Sequence, residues 1–346
     1  MNMKLNKSSI FDSHGPMVTT SLLNGKVSGV LNWNNIAYPQ MYDLYNVLLS
    51  NFWKAQEINM QDDIKQWETL SEKEKSTFLQ INAQLAALDS IQTPVMYHVL
   101  EYVTDPSFKA IFAIISQQEA VHNESYSYIL SSLIPLQEQH KWFENAKNDP
   151  LVNKRNAFIM EGYNAFLQEP TVENILKLAV YSIVLEGIYF YSGFAFFYHL
   201  SRKQKMVKTS TMISYIQRDE LQHAYFMSQF VRIVRKENAE LITPEVDEWI
   251  KNTIMRGVEL EKEWSTYILF SVEGIEMDEF HAYLEYLGNK RLRQLDLPNA
   301  YKDNSNPMPW IQVYDDQKIN ETKSDFFEQK SRSYAKVSSL NGFDEL

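Results

Sequence analysis

Apolar residues recur at spacings of three and four along most of the chain and seldom alternate, so the pattern predicts helices rather than strands. After Pro39, the residues Met41, Tyr45, Leu48, Leu49 and Phe52 mark one face of a first helix expected to run to about Gln56, with Trp53 at its end. Ser71-Glu72-Lys73-Glu74 has the capping-box form and opens a long helix that carries Asp89. Asp105-Pro106, a cap followed by Pro at the first helical position, opens a helix with Glu119, His122 and Tyr126. Thr171 opens the next, which holds Glu186. A basic link, Arg202 to Lys208, leads into a helix from about Ser210 to Arg235 with Glu220 and His223. Thr243-Pro244 and Asp278 begin two more. Core helices of roughly 25 to 30 residues would each be about 40 Å long, so the expected fold is all-α, an elongated helical bundle. Residues 1–37 lack a lasting period and read as an irregular arm, residues 38–314 as the helical body, and residues 315–346 as a polar, flexible tail with isolated aromatics.

Composition narrows the function. The 346 residues are 45% hydrophobic, enough for a large core, and only 10 Gly and 11 Pro interrupt them. A formal net charge of -11 argues against an electrostatic grip on nucleic acid or anionic lipid. With no Cys there can be no disulfide, thiolate metal site or thiol nucleophile, so any thiol chemistry must come from a partner. The first fifteen residues contain no apolar export segment, which makes the cytoplasm the expected location. The most apolar stretch, Gly187 to Tyr198, is too short to span a bilayer, and no membrane association is expected.

The chemistry lies in two repeats of one motif. Glu119-Ala120-Val121-His122 and Glu220-Leu221-Gln222-His223 each set a carboxylate and an imidazole three residues apart, on one helical face. One such pair is common by chance; two on separate long helices are not. Before each of these helices comes another with a single acid in an apolar run, Asp89 after Leu85-Ala86-Ala87-Leu88 and Glu186 after Ile183-Val184-Leu185. An isolated carboxylate in a dry core costs several kcal/mol unless it is neutralised, paired or metal-bound. One carboxylate from each of two helices and a Glu-x-x-His from each of two others is the ligand set of a two-metal carboxylate bundle. The six candidate ligands are Asp89, Glu119, His122, Glu186, Glu220 and His223, and their four carboxylates would neutralise two divalent ions. Oxygen and nitrogen donors without sulfur suit iron or manganese, and the sequence does not choose between them. Tyr126, four residues after His122, projects from the same face toward the metal pair. His281, His14, His98, His140 and His199 read as surface or structural residues.

Together these residues resemble the small subunit of class I ribonucleotide reductase, a ferritin-like protein. The match runs in order through Phe52-Trp53, Leu88-Asp89-Ser90-Ile91-Gln92, Glu119-x-x-His122-x-x-x-Tyr126, Glu186-x-x-x-Phe190-x-x-x-Phe194, Arg218-Asp219-Glu220-x-x-His223 and Asn306-Pro307-Met308-Pro309-Trp310. Phe326-Phe327, Tyr334 and the acidic end Phe343-Asp344-Glu345-Leu346 look like that family's docking tail. The resemblance implies a radical on Tyr126, with Phe190 and Phe194 lining its pocket. In some relatives the oxidising equivalent stays on the metals. It also implies a path through Trp53, Asp219 and Tyr334 to a cysteine of a large catalytic subunit, where ribonucleotides are reduced. A homodimer is implied as well and, for manganese, superoxide from a flavodoxin-like partner. Two other readings of the residues remain open: an independent two-metal oxidase, which would need neither Trp53 nor a tail tyrosine, and a metal-storage or structural bundle, in which Tyr126 is only core.

Overall fold

The structure is a computed structural model describing residues 3–302 and 305–313. Its long helices are α3 (Glu72–Leu100), α4 (Pro106–Leu133), α9 (Val207–Glu237) and a further unbroken rod. That rod runs from α7 (Val172–Val184) through one π-helical turn (Leu185–Tyr189) into α8 (Phe190–Arg202). These four form the centre: α3 packs on α4 and α8, while α9 packs on α4, α7 and α8. At 31 residues α9 is about 45 Å long. Around the centre lie α1 (Gln40–Ser50), α2 (Gln61–Trp67), α5 (Leu136–Asn148) and α6 (Pro150–Gln168). Two more helices, α10 (Pro244–Leu269) and α11 (Met277–Gln294), close over the rod at its π turn. No strand occurs among the described residues, which hold only two isolated bridges, Lys4 with Thr171 and Leu23 with Val103.

Capping chemistry sets most of the helix starts. Ser71 and Glu74 form the expected reciprocal box on α3, Asp105 accepts from two amides of α4, and Thr171 and Thr243 cap α7 and α10. Asp149-Pro150 repeats the Asp105-Pro106 signal and opens α6. The start of α9 lies earlier than expected, at Val207, because its cap comes from another helix. Asp63 of α2, fully buried, accepts from the amides of Lys208 at 2.9 Å and Thr209 at 2.6 Å. A carboxylate there also meets the positive end of the helix dipole.

Three expectations need correction. The first helix ends at Ser50, and its buried stripe is Met41, Leu44 and Leu48, with Leu49 and Phe52 in solvent. Asp278 lies inside the first turn of α11, whose cap position is Glu276 with no side-chain bond. The apolar stretch is also not short. Val172–Arg202 is continuous, and by length and composition it could cross a membrane, but 94% of its apolar window is buried within the protein. Lys177 and Glu186, whose charges interrupt the apolar run in the sequence, lie within this one rod.

Candidate metal centre

All six expected ligands converge. Asp89 on α3, Glu119 and His122 on α4, Glu186 in the π turn, and Glu220 and His223 on α9 are each wholly buried. Their donor atoms make two overlapping groups, Asp89-Glu119-His122-Glu220 and Glu119-Glu186-Glu220-His223, each with all donors within 4.8 Å of one another. Glu119 and Glu220 belong to both groups, so either could serve either of two ions. Each imidazole turns Nδ1 inward: His122 Nδ1 lies 3.0 Å from Glu220, and His223 Nδ1 lies 2.9 Å from Glu119.

The outward Nε2 atoms are held by the two helices in exchange. His122 Nε2 lies 3.2 Å from Asp219, the residue before Glu220, and His223 Nε2 lies 3.0 Å from Gln118, the residue before Glu119. Each motif thus orients the other's imidazole, with a carboxylate on one side and an amide on the other. Such outer partners fix ring orientation and tune ligand basicity. Gln118 was not among the candidates, yet its position before Glu119 matches that of Asp219 before Glu220. Gln92 and Tyr163 were also missed as partners of the site: Gln92 donates to Glu186, and Tyr163 donates to Gln92 Oε1 at 2.5 Å while meeting Ser182 at 2.8 Å. Gln92 lies three residues beyond Asp89, on the same face of α3, and closes the Leu88-Asp89-Ser90-Ile91-Gln92 motif without having been given a role.

The electrostatics are those of a pocket built for cations. Burial, then the charge of Glu119, pushes the Asp89 carboxyl far above the usual carboxylate range, and burial with Glu186 does the same to Glu220. Glu119 is pushed up to about 7 by burial and by Glu186. Burial also opposes ionisation of Glu186, but hydrogen bonds from Glu220 and His223 outweigh it and hold its carboxyl below the usual range. Neither oxygen of Asp89 has a hydrogen-bond partner. Four clustered carboxylates with unpartnered oxygens cannot all ionise in a dry core without added positive charge. Two metal ions would supply that charge, and the oxygen and nitrogen donor set fits them.

Trp53 lies past the end of α1 and is buried. Its Nε1–H donates to Asp219 Oδ2 at 2.9 Å, the same oxygen that meets His122, and its ring stacks near the His122 ring at 6.2 Å. Arg218 reaches Asn51 O at 2.7 Å and Asp219 Oδ1 at 3.4 Å. Burial opposes the Asp219 charge, but His122 and Arg218 outweigh it and keep the carboxyl below its usual range.

Tyr126 is wholly buried, its hydroxyl has no hydrogen-bond partner, and burial with the nearby Asp89 charge pushes its phenol well above the usual range. Phe190 and Phe194 are buried and stack on each other at 5.8 Å. Tyr198, one turn further along α8, adds to the electrostatic pressure on Tyr126. His199 bonds to Glu273 O, and His281 is half-buried against Thr266 rather than on the surface. Met308 is buried and Trp310 lies under the Arg202 guanidinium at 4.1 Å. Tyr334 and the rest of the expected tail lie outside the described residues.

Comparison with known proteins agrees with this geometry. The family model described as ribonucleotide reductase, small chain, matches residues 30–307. A ribonucleoside-diphosphate reductase subunit beta of Halalkalibacterium halodurans is 47% identical over 345 residues, 99% of each chain. Among solved structures, a putative class I ribonucleotide reductase from Bacillus halodurans has a TM-score of 0.87 and 44% identity, covering 90% of this chain and all of that one. The dimanganese(II)-NrdF of Streptococcus sanguinis has a TM-score of 0.74 and 25% identity, covering 82% of this chain and 98% of that one.

Proposed function

The chain belongs to the ribonucleotide reductase small-chain family, with the ferritin-like bundle of those proteins, and from that premise we propose which of its residues perform the work of a ribonucleoside-diphosphate reductase subunit beta. Asp89, Glu119, His122, Glu186, Glu220 and His223 hold two ions of iron or manganese. A relative of the same fold is described with two manganese(II) ions, and the donor set suits either metal. Two such ions, oxidised by dioxygen or, for manganese, by superoxide, would supply a one-electron oxidant inside the bundle. Tyr126 would give up one electron to it and keep the resulting hole. Its burial keeps water and reductants away, and the proton it sheds on oxidation would need a carboxylate acceptor, of which Asp89 is the strongest electrostatic neighbour.

One observation carries the reading furthest: Trp53, Asp219 and His122 form a continuous hydrogen-bonded chain leading out of the metal pocket. Neither storage nor packing requires one buried carboxylate to be shared between an indole N–H and the imidazole of a candidate ligand. Asp219 would hold the indole proton as an electron leaves Trp53, and Tyr334 in the docking tail, residues 315–346, would receive the hole for a large catalytic subunit. Small chains of this family work with such a subunit and are commonly dimers. We place this one in a soluble, cytoplasmic homodimer, activated by a flavodoxin-like partner if it uses manganese. Trp53→Phe tests the path. It should leave metal binding and Tyr126 oxidation intact and abolish turnover with the large subunit; full turnover would refute it.

A further inference from the structure

We propose that Arg291 and Arg155 clamp the π turn and thereby position Glu186, a role that rests on the metal-site reading above. A π turn puts one extra residue into a helix, so relaxation to regular α geometry would swing Glu186 by about 100° relative to the helix beyond it. Something must hold the less favourable form. Arg291 of α11, wholly buried, donates Nε–H to Gly187 O at 3.1 Å. Arg155 of α6, also buried, donates from Nη2 to Tyr189 O at 3.3 Å. Two carbonyls of this turn are therefore bonded to guanidinium groups from two separate helices.

Gly187 and Arg291 are a matched pair. A Cβ at residue 187 would lie 2.3 Å from Arg291 Nε and 2.8 Å from its Cδ, so only glycine admits the guanidinium to this carbonyl. Each arginine is held in turn. Arg155 pairs with Glu261 at 2.9 Å and lies over the rings of Tyr189 at 4.5 Å and Trp264 at 4.3 Å. Glu261 also accepts from Ser192, just past the turn. Arg291 donates to Gln294 at 3.0 Å and lies over the Tyr191 ring at 5.5 Å. Apolar side chains would pack these helices without the desolvation cost of two buried cations, so packing alone gives no reason for them.

The clamp acts on one half of the metal centre. Glu186 belongs only to the group with His223, whereas Asp89 and His122 stand on α3 and α4 and belong only to the other group. Loosening the turn should weaken one metal position and spare the other. The test is Mn(II) binding to the full-length, metal-free protein, followed by electron paramagnetic resonance and by hydrogen exchange at residues 187–191. Arg291→Met should raise the weaker dissociation constant about tenfold or more, the range for ligand-positioning partners. It should also replace a spin-coupled pair signal with that of isolated Mn(II), and speed exchange in the turn. Gly187→Ala should reproduce these effects by displacing Arg291, and Arg291→Lys should restore part of the affinity. If Arg291→Met fails to fold, Gly187→Ala and Arg155→Met carry the same readouts. Folded variants that bind two Mn(II) with wild-type affinities, or lose both positions equally, would overturn the clamp alone. A wild-type protein that binds no Mn(II) pair would overturn the metal-site reading and the clamp with it.

Discussion

Replacing Asp219 by Asn changes almost no volume and isolates the charge at the junction between Trp53 and the metal pocket. One carboxylate oxygen receives Trp53 at 2.9 Å and meets His122 at 3.2 Å, while the other meets Arg218 at 3.4 Å. An amide offers a single oxygen. If that oxygen stays toward Trp53 and His122, the NH2 group abuts the guanidinium; if it turns to Arg218, the NH2 group faces the indole N–H. In either orientation a buried donor loses its acceptor, at about 1–3 kcal/mol, and the buried Arg218 loses its counter-charge. Breaking a buried ion pair on one side costs about 3–5 kcal/mol, and that figure includes the stranded donor, so the metal-free protein should lose about that much stability. Urea unfolding followed by circular dichroism measures it. Separately, His122 loses the anion that orients its ring, so affinity for the metal it binds should fall about 10–100-fold. Mn(II) titration measures that. A metal-free stability within about 1 kcal/mol of wild type, together with unchanged affinity, would refute the claim that Asp219 is the ionised centre of this network.

Two further outcomes follow from parts of the fold outside the ligand set. Burial raises Glu261 from its ordinary 4.5 to about 7 despite Arg155 and the Ser192 hydroxyl, so between those values the unfolded chain ionises first and stability falls as pH rises, by about 3 kcal/mol in total. Glu261→Gln should remove that part of the slope in urea midpoints measured from pH 4 to 8, and identical slopes would contradict it. At Gly162 an added Cβ would lie 2.0 Å from the Tyr181 ring, which is pinned between Phe158 and Trp249, so Gly162→Ala should cost about 1–3 kcal/mol. An unchanged midpoint would show that Tyr181 can move aside.

The candidate ligands were legible because a helix converts sequence spacing directly into geometry. Glu119 and His122, or Glu220 and His223, share a face whatever surrounds them, and Asp89 and Glu186 stand out as acids in apolar runs. Their partners were harder to read. Gln118, Gln92 and Tyr163 matter only through what tertiary packing brings to them, and a buried Gln or Tyr carries no distinctive local pattern. The π turn left no trace, since Glu186 and Phe190 at a spacing of four look like an ordinary helical turn. The apolar stretch reads as short because the charges of Lys177 and Glu186 interrupt it, although both lie within the one rod from Val172 to Arg202. The first helix was overextended because Leu49 and Phe52 continue an apolar pattern on a face the fold leaves in solvent. Asp149-Pro150 carried the same start signal as Asp105-Pro106, so α6 could have been read from the chain.

In the proposed function the buried acid and histidine cluster holds two metals that, once oxidised, would oxidise Tyr126. Its most direct test is low-temperature electron paramagnetic resonance of wild type and Tyr126→Phe, each reconstituted with iron and dioxygen or with manganese and superoxide. Both proteins should bind two metals per chain, and wild type alone should give a tyrosyl signal. The variant should fold at least as stably as wild type, because it loses a buried hydroxyl that has no partner. The same tyrosyl signal in Tyr126→Phe, or a wild type that binds the pair yet forms no tyrosyl radical with either metal, would contradict it.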